Sequence, residues 1–316
     1  MIRATGISGR LKKDNMAKKR VAILGATGML GSMMLDTFMS SNEFEIIATY
    51  RDHKALRLLK NKYLKVEFRR LDVEKTSLKG ILKAIKGACW VVNAIGVIKP
   101  YIHDDNADEV RRAVLVNAHF PHLLVQAAGS ANFKVIQIAT DCVFSGQKGQ
   151  YVEIDPHDGL DVYGKTKSLG EVFADKIYHL RCSIIGPELK RHNSLMDWFL
   201  GQPEDARVNG FTNYLWNGVT TLHFARICQG IINRGVSLPH VQHIVPCNII
   251  SKAEMLKIIA KEFDRKDVEV YDEQAPTAID RTLSTDNKKL NRELWRHAGY
   301  TNPPTIAKMI RELARL

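Results

Sequence analysis

The chain has 316 residues, 45% of them hydrophobic and 25% charged, with a formal net charge of +12. That is the profile of an ordinary soluble globular protein with room for one large domain or two coupled ones. The longest apolar run, Ala88 to Ile98, is broken by Asn93 and too short to span a bilayer, so no membrane association is expected.

The excess positive charge favours anionic partners in general. Much of it lies in the N-terminal tail and in the stretch Arg51 to Arg70, which reads as the solvated face of an amphipathic helix. No zinc-finger, homeodomain-like or aromatic-basic signature accompanies it, so no nucleic-acid partner is expected. Five cysteines (Cys89, Cys142, Cys182, Cys228, Cys247) are odd in number and show no CxxC spacing. They point to reduced, buried thiols in a cytoplasmic protein and to no metal site.

Residues 1–20 carry several Arg and Lys without the apolar centre of a secretory signal, and are expected to form a flexible tail. Met16 within it could mark a start site. From Val21 onward, short β-rich runs alternate with helical patterns. "VAILG" (21–25) is a strand, followed by a helix over "MLGSMMLDTFMSS"; "FEIIATY" (44–50) is the next strand, followed by a basic helix. Strands over 66–73, 88–96 and 134–140 continue the series, with a long helix from about Ala107 to Gly129 between the last two. A helix over Tyr163 to Asp175 then leads to a strand over 178–185.

Strands apolar on both faces and separated by helices predict an α/β fold, a doubly wound parallel sheet, with ligands at the carboxyl ends of the strands. Beyond Pro187 the pattern loosens into a segment mixing aromatics, Asn and Gly. A helix over "TTLHFARICQGIINRG", a short strand "VQHIV", a helix after Ser251 with Glu254 at its third position, and a C-terminal helix follow. The expected division is a nucleotide-binding domain over 21–185, with return segments near 218–246, and a smaller substrate-binding domain over 186–217 and 247–316.

"GATGMLG" sets Gly25, Gly28 and Gly31 at three-residue spacing directly after a strand and at the start of a helix. Glycines there allow a tight turn and a close backbone approach to a pyrophosphate, which the helix N-terminus can bind. At the end of the second strand stand Tyr50 and Arg51, where an NAD-specific site usually offers a carboxylate. Arg51 suits a 2′-phosphate, hence NADP(H) with NAD(H) as the alternative; the other reading is a surface arginine opening a basic helix. Asp72, beside Val73, suits either an adenine amino group or a helix cap. Ala94, Ile95 and Gly96 either let a cofactor lie against the backbone or serve sheet packing.

Tyr163 and Lys167 in "YGKTK" share one helix face. An ammonium beside a phenol lowers the phenol's pKa, and such a tyrosine can protonate a carbonyl oxygen as hydride arrives. The pair lies about twenty residues after a strand ending in Thr140.

Together these features resemble the extended short-chain dehydrogenase/reductase family. "ATDCVFSG", "YGKTKSLGE" and "LRCSIIGPE" look like its sugar-nucleotide branch, which includes dTDP-4-dehydrorhamnose reductases. "NAIGVIKP", "NAHFPHLL" and "VNGFTNYLWNGVTT" are similar to a bacterial subgroup associated with polysaccharide biosynthesis.

The resemblance implies that Thr140, Tyr163 and Lys167 are catalytic, with Thr140 binding the 4-keto oxygen, Tyr163 protonating it and Lys167 holding the nicotinamide ribose. Gly25, Thr27, Gly28, Met29 and Leu30 would line the pyrophosphate, Asn117 would support the site, and Pro187 would lie near the carboxamide. Asp141 and Cys142 would face the substrate. Asn193, Trp198 and Trp216 would line the sugar-nucleotide pocket or merely pack.

Dehydratases of this fold usually carry Thr-Asp-Glu where this chain has Thr140, Asp141 and Cys142. A thiol is a poor carboxylate base, so elimination is disfavoured. The implied reaction is NADPH-dependent reduction of the C4 keto group of a nucleotide-linked 4-keto-6-deoxysugar. A nucleotide-sugar epimerase and a non-catalytic NADP-binding regulatory subunit are the alternatives. A homodimer is the expected assembly.

Overall fold

The computed structural model describes residues 18–189 and 194–316. Strand β1 (Lys19–Leu24) leads into helix α1 (Met29–Ser40), β2 (Phe44–Tyr50) into α2 (His53–Lys60), and β3 (Glu67–Arg70) into α3 (Leu78–Ala84). β4 (Trp90–Asn93) is followed by a long continuous helix: α4 (Ala107–Ala113), a π-helical segment (Val114–His119) and α5 (Phe120–Ala131). β5 (Lys134–Ala139), α6 (Val162–Leu169) and β6 (Ile177–Arg181) complete this part.

Beyond it come β7 (Ile184–Ile185), α7 (Leu195–Leu200), β8 (Arg207–Phe211), β9 (Tyr214–Trp216), β10 (Val219–Thr220), α8 (Thr221–Arg234) and β11 (Val241–His243). The chain closes with β12 (Ile250–Ser251), α9 (Lys252–Glu262), β13 (Glu269–Glu273), β14 (Ile279–Asp280), α10 (Lys288–His297) and α11 (Ile306–Leu313).

The main sheet has seven strands in the order β11-β6-β5-β4-β1-β2-β3, and every neighbouring pair in it is parallel. Right-handed crossovers in a parallel sheet of this order reverse direction between β1 and β4, and that reversal opens a crevice at the strand ends. One face of the sheet packs through Ile23, Met34, Phe38, Ile227 and Trp295, the other through Leu24, Val91, Phe120, Leu124 and Val135. Alternate residues of β1 therefore serve opposite cores, which is why the strand is apolar throughout.

Several sequence expectations shift. The tail expected over 1–20 gives up Lys19 and Arg20 to β1, because both pair with β2; residues 1–17 lie outside the described residues. The helix expected to reach Asp175 ends at Leu169, and Glu171 turns inward to meet Arg181. The strand expected over 178–185 breaks after Arg181, and β7 pairs with β10 in a separate small sheet. Cys89 and Cys247 are exposed rather than buried, though all five cysteines are free. The helix after Ser251 starts as expected, with a reciprocal capping box between Ser251 and Glu254.

Arg181, fully buried at the end of β6, organises the ground beneath the strand ends. It donates to Glu171, and also to the Nε2 atoms of His157 (2.8 Å) and His243 (2.7 Å). A guanidinium only donates, so both imidazoles must accept through Nε2 and are neutral. His243 in turn donates from Nδ1 to the Ser284 carbonyl (2.7 Å), and the Phe144 ring lies under the guanidinium at 5.1 Å.

Burial, reinforced for His243 by Arg181, holds His243 and His179 down at about 4, and burial takes His223 to about 3. Below about pH 6.5 the unfolded chain takes up protons that these folded histidines refuse, so stability falls as pH falls toward those depressed values. Denaturant midpoints measured from about pH 7 down to about pH 5 should decline steadily. A flat profile across that window would show that the buried histidines do not remain neutral.

Candidate active site

A cavity of about 500 Å³ occupies the crevice at the β1/β4 reversal. Its floor at one end is the β1–α1 loop. Gly25 there has φ +77, and its backbone N–H donates to the Thr49 hydroxyl (3.0 Å). A side chain at Gly25 would also meet Ile95 at 2.7 Å, so only glycine suits the turn. At Gly31 a Cβ would stand 2.1 Å from the Gly25 carbonyl oxygen, which is how closely α1 is folded back onto the loop. No side chain caps α1, and Gly28, Met29 and Leu30 line the cavity, leaving the first-turn N–H groups for an anion.

Tyr50 and Arg51 line the neighbouring wall. The Arg51 guanidinium pairs with Glu74 (2.7 Å), and Arg112 reaches the same carboxylate oxygen (3.0 Å). Ala94, Ile95 and Gly96 form the opposite wall; the turn there is set by the Asn93 side chain, which accepts from the Ile95 N–H (3.1 Å). Val73 lines the cavity, but Asp72 does not. Its carboxylate instead accepts from the Glu74 N–H (3.2 Å), capping a local turn. Asn117 is also away from the cavity wall. The π-helical segment carries it to Val97, where it both accepts from the N–H (2.8 Å) and donates to the carbonyl (2.9 Å), bracing the 94–97 loop.

At the other end, Thr140, Asp141, Cys142, Tyr163 and Lys167 all line the cavity. Thr140 directly follows β5 and caps a single 3₁₀ turn, its hydroxyl accepting from the Cys142 N–H (3.2 Å) and donating to Asp141 (3.3 Å). Tyr163 and Lys167 come from α6, whose start is fixed by Asp161 accepting from the Gly164 N–H (2.7 Å). Lys167 donates to the Ile138 carbonyl (3.0 Å), which holds its ammonium over the end of β5.

Burial lowers Lys167 to about 8. The Tyr163 hydroxyl end is enclosed, and burial raises its pKa, with Cys142 adding to the rise and Thr140 opposing it. The direction is the opposite of the lowering expected from the lysine, because desolvation of the phenolate is the largest effect on it. Burial, then Asp141, pushes the Cys142 thiol up to about 12, and burial raises Asp141 against the pull of Arg281 and Lys252. A thiol so protonated is neither a base nor a nucleophile at neutral pH.

Of the other expected residues, Trp216 lines the cavity, whereas Pro187 does not and Trp198 is exposed to solvent. Asn193 lies outside the described residues. The sequence reading missed Arg112, Ser183, Met196 and Lys252, all of which line the cavity. Lys252 carried no local signal beyond opening a capped helix. It arrives only because β12 pairs with β9, setting Ile250 opposite Trp216.

Among known proteins, the chain is 30% identical over 155 residues to a dTDP-4-dehydrorhamnose reductase of Aggregatibacter actinomycetemcomitans, covering 48% of this chain and 45% of that protein. It is 26% identical over 153 residues to methionine adenosyltransferase 2 subunit beta of Danio rerio, covering 48% and 42%. The chain thus aligns with less than half the length of these curated relatives. A solved structure of dTDP-4-dehydrorhamnose reductase from Bacillus anthracis str. Ames, in complex with NADP, superposes with a TM-score of 0.71 at 18% identity, covering 94% of this chain and 99% of that one. That likeness establishes the fold. The family described as RmlD substrate binding domain matches residues 19–315, nearly the whole sequence, and the chain belongs to that family.

Proposed function

We propose that this protein reduces the C4 keto group of a nucleotide-linked 4-keto-6-deoxysugar with NADPH, in the synthesis of surface polysaccharide or other glycans. One observation carries the reading. Thr140, Tyr163 and Lys167 line one end of a cavity whose other end is an uncapped helix start behind a glycine loop. The named reductase relative supports it. The cradle suits a dinucleotide: the glycine loop admits a pyrophosphate, and Arg51 with Arg112 offers two guanidiniums to a 2′-phosphate in exchange for Glu74.

When bound, NADPH supplies the hydride. The chain's own residues orient the sugar and deliver the proton. Thr140 turns its one hydroxyl proton from Asp141 to the keto oxygen, and Tyr163 gives that oxygen its proton. Burial keeps Tyr163 protonated beforehand, so it enters as an acid. Lys167, fixed by the Ile138 carbonyl, would hold the ribose hydroxyls and, as an ammonium, would stabilise the phenolate once the proton has left. Elimination finds no base at Cys142, whose thiol stays protonated.

We assign the cofactor-binding part to 19–185 with return segments near 218–246, and the substrate-binding part to 186–217 and 247–316; residues from both line the cavity. Free cysteines support a cytoplasmic setting. No helix among the described residues is long and apolar enough to cross a membrane. The exposed Leu160, Leu169 and Phe173 around α6 support a homodimer.

The test is a mixture of protein, NADPH and a dTDP- or UDP-linked 4-keto-6-deoxysugar. NADPH should be consumed in step with product, and faster than NADH. The likeness to the adenosyltransferase subunit gives the binding-only alternative a specific basis. Stoichiometric NADP binding without turnover across a keto-sugar panel would favour that alternative. Sugar conversion without net cofactor oxidation would favour an epimerase.

A further inference from the structure

We propose that Lys252 is a specificity-determining residue: with Asp141 it holds one sugar hydroxyl beside the keto group, that on C3. The inference rests on the reductase reading above. Lys252 is the first residue of α9, held between the two members of the Ser251–Glu254 capping box. The β12–β9 pairing fixes it beside Trp216, and its ammonium sits 5.6 Å from that ring's centroid. Both Lys252 and Asp141 line the cavity.

Among the described residues the Lys252 ammonium has no hydrogen-bond or ion-pair partner, and no contact within 4.0 Å joins it to Asp141. Among the described residues the Asp141 carboxylate accepts from the Thr140 hydroxyl (3.3 Å) and the Cys142 thiol (3.8 Å), with Arg281 also pulling on its charge. The two side chains feel each other's charge across the cavity without touching, each with capacity to spare.

The chemistry of the ligand group follows from that pair. An anionic group would gain from Lys252 and be repelled by Asp141. A hydroxyl suits both, because it donates to the carboxylate and accepts from the ammonium. Thr140, next to Asp141 in the chain, addresses the keto oxygen, so the Asp141 side chain reaches a flanking substituent. The proposed sugar has no hydroxyl on C6, which leaves the one on C3. The Trp216 face under the ammonium stem limits where that hydroxyl can lie.

The test compares wild type, Lys252→Met and Lys252→Arg on dTDP-4-keto-6-deoxyglucose and its 3-deoxy counterpart, with NADPH binding measured in parallel. Wild type should favour the hydroxylated sugar in kcat/KM by roughly 10- to 100-fold, the range of a hydrogen bond to a charged group. Lys252→Met should lose that preference, chiefly through KM, while binding NADPH as wild type does; Lys252→Arg should recover part of it. A preference that survives in Lys252→Met, or that wild type never shows, overturns the role of Lys252. Wild type that binds NADPH yet turns over neither sugar overturns the reductase reading, and the inference with it.

Discussion

Tyr163→Phe should bind NADPH within a few-fold of wild type and reduce the keto-sugar roughly 10²–10⁴-fold more slowly. The substitution removes one oxygen and leaves the ring, which packs against the α4–α5 side of the sheet, in place. What is lost is the proton delivered to the keto oxygen as negative charge develops there. Because burial keeps the hydroxyl protonated, the effect should fall on kcat far more than on KM for either ligand. Stopped-flow or steady-state NADPH consumption, paired with fluorescence titration of the cofactor, reads both quantities. Turnover by Tyr163→Phe at the wild-type rate would remove Tyr163 from the chemistry and turn attention to Thr140 or a bound water.

Glu171→Gln should destabilise the fold by about 3–5 kcal/mol, the usual cost of stripping the partner from a buried charge. Arg181 is 1% exposed and the Glu171 side chain 6%, so solvent cannot take over the lost carboxylate. His157 and His243 cannot replace it, since each already accepts from Arg181 as a neutral ring. The contribution has a pH signature. Arg181 holds the Glu171 carboxyl below its usual range despite the opposing effect of burial. Its stabilisation is therefore full above the unfolded carboxylate pKa of about 4.3 and lost as pH falls through the lower folded value.

Urea unfolding of both proteins at neutral pH measures the difference. A midpoint shift worth less than about 0.5 kcal/mol, the range of an ordinary surface change, would show that the pair is not what holds β6 to the loop at 157 and to β11. Replacing Glu171 and Arg181 together by apolar residues should recover much of the loss, because no unpaired charge then remains.

The parallel sheet could be read from local pattern alone. Runs such as "VAILG" and "KVIQIA" are apolar on both faces, and the helices between them leave only right-handed crossovers. The glycine loop could be read as well, since Gly25 sits at positive φ and Gly31 under a carbonyl for reasons that act within seven residues. Thr140 at a strand end, and Tyr163 with Lys167 one helical turn apart, are equally local, and the fold places all three on one cavity.

Everything that depends on distant segments meeting was decided by the tertiary structure. Asp72 and Val73 are adjacent in sequence, yet only Val73 lines the cavity, because the turn at Glu74 takes the Asp72 carboxylate for itself. The sign of the Tyr163 shift came from enclosure, which no spacing reports. Arg112 and Lys252 reach the cavity through a long helix and a two-residue strand pairing. A motif records how a backbone must bend at one place. The field and the shape around a reacting carbonyl are sums over side chains from many places, and only packing brings those together.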